Sequence, residues 1–252
     1  MSTGEIAREP NADAEWPAQK STYSFPRRND RTFERIVSIL AAGNSNRLKL
    51  LSFGCSKGIE PLDLKRLAPS AEVYGCDVDA DALEIARGEC AEAGIHIFES
   101  SRDAILRLGP FDAIVAMNVL VDWPAIHTRD RIDHIYPFRR FNDSVSTMFD
   151  ALTVGGYMAI YNTCYLVEQT TVAGKLHPVH HTMPRRNGWL DKYDRFGQRI
   201  AVAVDAKGTP IDKDWRKYMN GNSYYPKVLE CKFLPKDTPA DCKTIIWQKL
   251  TD

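Results

Sequence analysis

The chain has 252 residues, with 33 lysine and arginine residues balanced by 33 aspartate and glutamate residues. A net charge of zero excludes a strongly basic nucleic-acid-binding protein and an acidic disordered chain. Hydrophobic residues make up 44% of the sequence and charged residues 26%, a composition typical of globular proteins. No stretch approaches the ~18 apolar residues of a membrane-spanning helix, so we expect a soluble, cytoplasmic protein.

The cysteines are scattered, and none forms a C-x-x-C pair. This spacing indicates neither a disulfide framework nor a zinc site. The six positions are Cys55, Cys76, Cys90, Cys164, Cys231 and Cys242.

Residues 1–30 are polar and interrupted by prolines, which predicts a loosely ordered N-terminal arm. Residues 31–252 are then expected to form a single domain. The densest basic cluster of the chain lies where the arm ends, and a helix is predicted over residues 31–42. A solvated helix face explains this cluster better than an RNA contact does. Its members are Arg27, Arg28, Arg31 and Arg35.

Short apolar runs alternate with amphipathic stretches from residue 48 onward. The runs lie at 48–53, 72–76, 95–99, 111–117 and 156–162. The stretches between them predict helices at 57–67, 80–93, 102–108 and 137–152. This alternation predicts an α/β fold with a doubly wound, mostly parallel sheet of the Rossmann-like kind. Two later runs, QRIAVAVDAKGTPI and CKTIIWQKL, are predicted to add antiparallel strands at one sheet edge.

The first predicted strand enters a helix through SFGCSKGIEP, which has Gly54, Ser56 and Gly58 in the turn. Glycine lets a ligand approach the backbone closely, although such a loop can also be no more than a turn. The second strand ends at Asp77, 19 residues after Gly58. An acid at about 20 residues holds ribose hydroxyls in nucleotide-binding folds. Asp77 could instead stabilise the turn or cap the next helix, a task that Asp79 could perform equally well.

The spacing in this turn separates two kinds of adenosine cofactor. Dinucleotide-binding loops read G-x-G-x-x-G and cradle a pyrophosphate, whereas this loop reads G-C-S-x-G. Ser56 stands where the second glycine would lie, and the last glycine comes one residue early. The sequence therefore disfavours phosphate binding at this loop.

Four segments in order resemble the successive motifs of class I S-adenosylmethionine-dependent methyltransferases. They are LLSFGCSKGIEP, VYGCDVDADALEIAR, FDAIVAMNVL and LTVGGYMAIYN, and together they span about residues 48–162. The first motif is similar to that of chemotaxis-receptor methyltransferases and of many small bacterial methyltransferase-domain proteins. The resemblance implies that S-adenosylmethionine is the cofactor.

The resemblance also implies a cofactor-binding set. Gly54, Cys55, Ser56 and Gly58 would contact the methionine part, and Asp77 would bind the ribose. Val78 would flank the adenine, Asp103 would face its amino group, and Asn118 and Val119 would close the pocket. Asp103 could equally be an acid that complements the N-terminus of its helix, with Arg102 or Ser101 taking its place at the adenine.

Any catalytic residue should follow strand four or strand five, because the acceptor must meet the methyl group there. The catalytic candidates are His134, His127 and Tyr136, and other residues of this region that could face a substrate are Tyr161, Asn162, Tyr165 and Glu168. Asp130 lies four residues before His134, so on a helix it could orient the imidazole as a base, although an ordinary surface pair is the more frequent outcome. A base is needed only for a hydroxyl or a protonated amine.

The segment 163–197 is predicted to form a substrate cap. It contains three histidines, His177, His180 and His181, which favour a polar loop over a metal site. We therefore predict no metal.

The leading hypothesis is a methyltransferase acting on oxygen or nitrogen of a small molecule, with nucleic acid and membrane unlikely as partners. The alternatives are an RNA or protein-carboxylate methyltransferase, a non-catalytic module that keeps the cofactor fold, and a nicotinamide oxidoreductase. The sequence leaves the acceptor, the base, the pathway and the oligomeric state open.

Overall fold

The computed structural model describes residues 24–43, 47–123, 125–126, 129–179, 188–205, 207–210 and 244–252, together with the backbone of three short strands between 219 and 234. The helices are α1 (Asp30–Ala42), α2 (Ile59–Leu67), α3 (Ala80–Cys90), α4 (Arg102–Leu108) and α5 (Phe138–Asp150). The first five strands are β1 (Lys49–Phe53), β2 (Glu72–Asp77), β3 (His96–Glu99), β4 (Phe111–Met117) and β5 (Leu152–Tyr161). The remaining strands are β6 (Leu176–Pro178), β7 (Lys192–Tyr193), β8 (Arg199–Val204), β9 (Met219–Asn220), β10 (Ser223–Tyr224), β11 (Lys232–Leu234) and β12 (Ile246–Lys249).

A seven-stranded sheet in the order β3-β2-β1-β4-β5-β12-β6 forms the centre of the molecule. Strands β1 to β5 are mutually parallel. The chain moves outward from β1 to β3 on one side and from β4 to β5 on the other, so the strand order reverses between β1 and β4. This arrangement confirms the predicted doubly wound, mostly parallel sheet. Such a reversal opens a crevice at the carboxyl ends of the two central strands.

Helices cover both faces of the sheet, because consecutive strand residues point to opposite sides. Leu50 joins Phe33 of α1 and Leu64 of α2 in one buried cluster, whereas Leu51 joins Phe141 of α5 in the other. Burial on both faces explains why the central strands are apolar throughout.

Local signals in the sequence set the helix boundaries. The Asp79 side chain accepts a hydrogen bond from the Ala82 N–H at 3.0 Å and begins α3, and the Ser101 side chain does the same for Ala104 at 3.2 Å and begins α4. Helix α5 follows Pro137, whose fixed φ suits a helix start. The predicted helices are therefore confirmed to within a few residues.

The C-terminal prediction is half right. Strand β12 pairs antiparallel with β5 and β6 at the sheet edge, as expected for CKTIIWQKL. Strand β8 was predicted at the same edge, and this was wrong, because it pairs with β7 and β11 in a separate three-stranded sheet. The alternation in RIAVAV indicates a strand but does not specify its partner. Strand β6, within the predicted cap, was not foreseen.

No helix in the described part of the chain is both long enough and apolar enough to cross a bilayer. Residues 1–23 of the predicted arm lie outside the described residues. The Arg27 N–H, near the end of the arm, donates to Asp63 of α2 at 2.7 Å. Arg31 and Arg35 are exposed on α1, as a solvated face requires, whereas the Arg28 side chain is 13% exposed and pairs with Glu60 at 3.3 Å.

Candidate functional site

The loop between β1 and α2 turns sharply at the carboxyl edge of the sheet. Gly54, Ser56 and Gly58 have φ angles of 76°, 48° and 88°. These values lie in the left-handed region, which glycine enters freely and other residues enter at a cost. The sequence prediction of a glycine turn at this position is therefore confirmed.

Most of the N–H groups in this loop already have partners within the protein. Gly54 and Cys55 donate to the Cys76 carbonyl at 2.8 and 2.9 Å, and Gly58 donates to the Cys55 carbonyl at 3.0 Å. The Ser56 N–H donates to Oδ2 of Asp77 at 2.7 Å. A pyrophosphate-binding loop needs such N–H groups to point at the ligand. This loop therefore supports the expectation that the ligand is not a dinucleotide.

The space left by the two glycines is filled by other parts of the protein. A Cβ on Gly54 would lie 2.2 Å from Cγ2 of Val119, and a Cβ on Gly58 would lie 2.7 Å from Sγ of Cys90. Val119 and Cys90 therefore explain why both residues are glycine. Direct contact of a cofactor with either Cα is not required to account for them.

Asp77 combines a structural role with free capacity to bind. Its Oδ1 accepts the N–H groups of Val78 at 2.8 Å and Asp79 at 3.1 Å, while Oδ2 accepts that of Ser56. An ionised carboxylate offers about four lone-pair sites, so three protein donors leave room for a hydroxyl. Asp77 is half-buried, and Asp79 performs the helix capping. The capping alternative for Asp77 is thereby removed, and the ribose role stays a prediction.

The residues predicted to meet the adenine follow β2 and β3. Val78 is half-buried directly after β2, and Asp103 is exposed in the first turn of α4. The position of Asp103 fits an acid that complements the helix N-terminus. Its predicted contact with the adenine amino group remains a prediction.

Glu60 is a buried acid of the site that the residue-by-residue prediction missed. It is 5% exposed in the first turn of α2, and it accepts hydrogen bonds from Asn29 at 2.8 Å, Arg28 at 3.3 Å and the Ser52 hydroxyl at 3.4 Å. Burial raises the pKa of Glu60 to about 7, although Arg28 acts to lower it. The signal was present in the motif G-C-S-x-G-x-E, whose last residue is Glu60.

Two asparagines with left-handed backbone follow β4 and β5. Asn118 and Asn162 each have a φ angle of 61°. The Asn162 Nδ2 donates to Oδ1 of Asn118 at 2.7 Å, and the Asn118 N–H donates to the Tyr161 carbonyl at 3.0 Å. Asn118 and Val119, both predicted to close the pocket, therefore lie at the carboxyl edge beside the glycine loop.

Asp130 and His134, which could have formed a pair with the imidazole as a base, do not contact each other in this way. Residues 129–137 contain no helix, and Asp130 pairs with Arg199 at 2.5 Å. The His134 side chain is 69% exposed, and its Nδ1 lies 3.7 Å from the neighbouring Asp133. The four-residue spacing could bring Asp130 and His134 together only on a helix, so Asp130 does not orient the His134 imidazole. His127 lies outside the described residues.

Tyr136 is the catalytic candidate that the structure places in the interior. It is 1% exposed, and its hydroxyl has no hydrogen-bond partner among the described residues. Burial raises the pKa of Tyr136 well above its usual value, as do the nearby Cys164 and Tyr165. The Tyr165 hydroxyl donates to the Tyr136 carbonyl at 2.7 Å, which fixes the backbone at this point.

Residues 188–193 of the predicted cap pack against the segment that follows β4. The Tyr193 hydroxyl contacts the carbonyls of Ile126 at 3.1 Å and Arg129 at 2.8 Å. The indole rings of Trp123 and Trp189 meet edge to face with centroids 4.6 Å apart. Residues 188–193, termed the cap segment below, thus join the ends of β4 and β5.

The histidine cluster of the cap lies mostly outside the described residues. His177 is exposed in β6, opposite Gln248, and His180 and His181 are not described. Within the described ranges, no group of three or more histidine, cysteine, aspartate or glutamate side chains is placed to hold a metal ion.

Comparison with known proteins agrees with this site. Residues 50–137 match the family described as methyltransferase domain. The match covers about a third of the chain, and it supports the expected methyltransferase domain in this part of the sequence and S-adenosylmethionine as its cofactor. The match covers β1 to β4 and the loops that carry the predicted cofactor residues. No curated protein sequence matches the chain.

Similar solved structures include TrmN from Thermus thermophilus, with 16% identity, 58% of this chain and 43% of that one covered, and a TM-score of 0.39. Another is CalS10, an amino pentose methyltransferase from Micromonospora echinaspora, with 15% identity, 60% and 56% coverage and a TM-score of 0.40. The magnesium protoporphyrin IX methyltransferase ChlM from Synechocystis PCC 6803 has 19% identity, 53% and 56% coverage and a TM-score of 0.36. The chain spans about half the length of these structures.

Proposed function

We propose that the chain catalyses methyl transfer from S-adenosylmethionine to oxygen or nitrogen of a small-molecule acceptor. The observation that carries the proposal is the match of residues 50–137 to the methyltransferase domain, with Asp77 at the end of β2. When bound, the cofactor supplies a methyl group already activated on a sulfonium. The protein then has to hold both partners, align the acceptor and exclude water.

The residues around the β1 loop fit an adenosyl thioether. Asp77 retains capacity to accept a ribose hydroxyl, and the loop N–H groups bonded to Cys76, Cys55 and Asp77 are not available to a diphosphate. Asn118 and Val119 would bound the methionine part from the side of β4. Val78 and Asp103 would bound the adenine.

Tyr136 is the residue that we assign to the acceptor. A buried hydroxyl without a partner costs roughly 1–3 kcal/mol, so a bound molecule that accepts its hydrogen bond would recover that cost. Its raised pKa keeps the hydroxyl protonated at neutral pH, so it would act as a donor that orients the acceptor and not as a base. His134, exposed beside Asp133, has no comparable environment.

The charge of the chain supports a small molecule over RNA. Positive and negative residues are equal in number, and Arg28, the innermost member of the basic cluster, is paired with Glu60. An RNA-binding face would need several unpaired cations on one surface. A protein carboxylate as acceptor is suggested only by the likeness of the first motif to chemotaxis-receptor methyltransferases.

A panel of acceptors tests this proposal, with product detected as a mass increase of one methyl group. The panel contains hydroxylated and amino-substituted small molecules, a mixed RNA and a carboxylate-rich protein. Methylation of a small molecule at oxygen or nitrogen is expected. Methylation of RNA or protein alone would contradict the proposal, and binding of S-adenosylhomocysteine without turnover on any acceptor would favour a non-catalytic module.

Two tyrosine variants then test the role of Tyr136. We expect Tyr136→Phe to lower kcat/KM at least tenfold while the melting temperature stays the same or rises, because the described part of the chain offers the hydroxyl no partner that the variant would lose. Tyr165→Phe is the matched control, because its hydroxyl bonds the Tyr136 carbonyl. The control should lose about 1 kcal/mol of stability. Unchanged kcat/KM in Tyr136→Phe would remove this residue from the acceptor site.

A further inference from the structure

We propose that Asn162 is a positioning residue that couples the cap segment to the cofactor side of the cleft. The inference rests on the proposed function and adds to it a link between acceptor binding and cofactor binding. Asn162 follows β5, is 2% exposed, and lies between Asn118 after β4 and Trp189 of the cap segment.

The Asn162 amide uses both of its ends. The Trp189 N–H donates to its Oδ1 at 2.8 Å, and its Nδ2 donates to Oδ1 of Asn118 at 2.7 Å. A backbone N–H can only donate, so it fixes which end of the Asn162 amide is the oxygen. The donor end must then face Asn118. One side chain therefore sets the position of both neighbours.

The backbone at this junction has little freedom to rearrange. Asn118 and Asn162 both hold left-handed φ angles of 61°, and Gly188 has a φ angle of 78°. A Cβ on Gly188 would lie 2.1 Å from Oδ1 and 2.4 Å from Cα of Asn162. The left-handed backbone of the two asparagines persists only where the surroundings determine it, and Gly188 packs directly on Asn162, so the three residues form one unit.

The unit reaches the cofactor loop through Val119. That residue follows Asn118 and fills the space above Gly54. On the other side, Trp189 packs against Trp123 of the segment that follows β4. A cofactor that contacts Asn118 and Val119 would therefore stabilise the cap segment through Asn162. By thermodynamic linkage, an acceptor that orders the cap segment would raise the affinity for the cofactor by the same factor by which the cofactor raises the affinity for the acceptor.

Asn162→Asp breaks one half of the link with little change in shape. Aspartate tolerates the left-handed backbone and keeps an oxygen for the Trp189 N–H. It replaces the donor that faces Oδ1 of Asn118 with a second oxygen, so the bond becomes a repulsion. Asn142→Asp is the control, because Asn142 is half-buried on α5, away from this junction, and uses its Oδ1 to accept the Thr171 N–H at 2.9 Å.

The test combines the affinity for S-adenosylhomocysteine with hydrogen exchange in peptides that cover the cap segment. In the parent and in Asn142→Asp, the ligand should slow exchange at residues 188–193. In Asn162→Asp this slowing should disappear, and the Kd should rise at least about fivefold, the lower end of typical coupling. S-adenosylhomocysteine carries no sulfonium, so the new carboxylate gains no attraction to a charge on sulfur.

Gly188→Ala provides a second route if Asn162→Asp folds poorly, since it disturbs the same junction from the cap side. It should also abolish the ligand-dependent slowing. If either folded variant keeps the slowing and a Kd within twofold of the parent, the coupling is refuted while the proposed function stands. If the parent does not bind S-adenosylhomocysteine at all, both the coupling and the proposed function fail.

Discussion

Asp77 and Asp79 are neighbouring acids with separable tasks, and replacing each by alanine distinguishes those tasks. Asp77→Ala removes the acceptor of three N–H groups, of which Ser56 lies in the glycine loop at 2.7 Å. Asp79→Ala removes the N-cap of α3, whose side chain bonds the Ala82 N–H at 3.0 Å. Both changes delete one carboxylate within three residues of chain.

The two variants should lose similar stability. A buried donor left without a partner costs roughly 1–3 kcal/mol, and water can reach the half-buried turn after β2, so we expect about 1–3 kcal/mol in total for Asp77→Ala. Loss of an N-cap costs about 0.5–2 kcal/mol for Asp79→Ala. Because Asp77 supports the loop, some destabilisation is part of the expectation.

The affinity for the cofactor should distinguish Asp77→Ala from Asp79→Ala. A hydrogen bond to a charged group contributes about 1.5–3 kcal/mol, so Asp77→Ala should bind S-adenosylhomocysteine roughly 10–100-fold more weakly. Asp79→Ala should stay within about threefold of the parent, because its carboxylate faces the helix. Urea unfolding and calorimetric titration measure the two quantities. Parent-like affinity in folded Asp77→Ala would refute the assignment of the ribose site.

Two further changes probe the loop. Gly58→Ala should destabilise the protein by about 2–4 kcal/mol, because Gly58 has a φ of 88° and a Cβ there would clash with Cys90. Gly88→Ala is the control, because Gly88 lies inside α3 with open space around it, and it should be neutral or stabilising. Equal unfolding midpoints for the two variants would contradict the packing argument. Glu60 has a folded pKa of about 7, above its unfolded value, so its contribution to stability should fall as pH rises from about 4.5 to 7 and then level off. In Glu60→Gln, the unfolding free energy should depend less on pH between pH 4.5 and 7 than in the parent. An unchanged dependence on pH would mean that other groups cause it.

The sequence predicts the central sheet well because each signal there is local. The spacing of apolar residues and the length of each apolar run indicate β1 to β5 and the helices between them, and capping residues such as Ser101 mark where helices begin. The misplacement of β8 has a different cause. A short alternating run such as Arg199–Val204 pairs with whichever strand tertiary packing brings beside it, and nothing within the run encodes that partner.

In the candidate site too, the sequence predicts local features but not contacts between distant segments. The turn at Gly54 and Gly58 follows from residue type, but only the structure shows that Val119 and Cys90 occupy the space that those glycines leave. The pairing of Asp130 with Arg199, in place of His134, depends on a contact across 69 residues of chain. The junction at Asn162 likewise joins three segments, so no single motif could reveal it.

The central claim is that the turn after β1 and the acid after β2 bind an adenosyl thioether and not a dinucleotide. The most direct measurement is a calorimetric titration of the full chain with S-adenosylhomocysteine and, separately, with NAD. We predict saturable binding of S-adenosylhomocysteine and at least about 100-fold weaker binding of NAD, a difference of about 2.7 kcal/mol. Tighter binding of NAD, or no binding of S-adenosylhomocysteine, would contradict the claim.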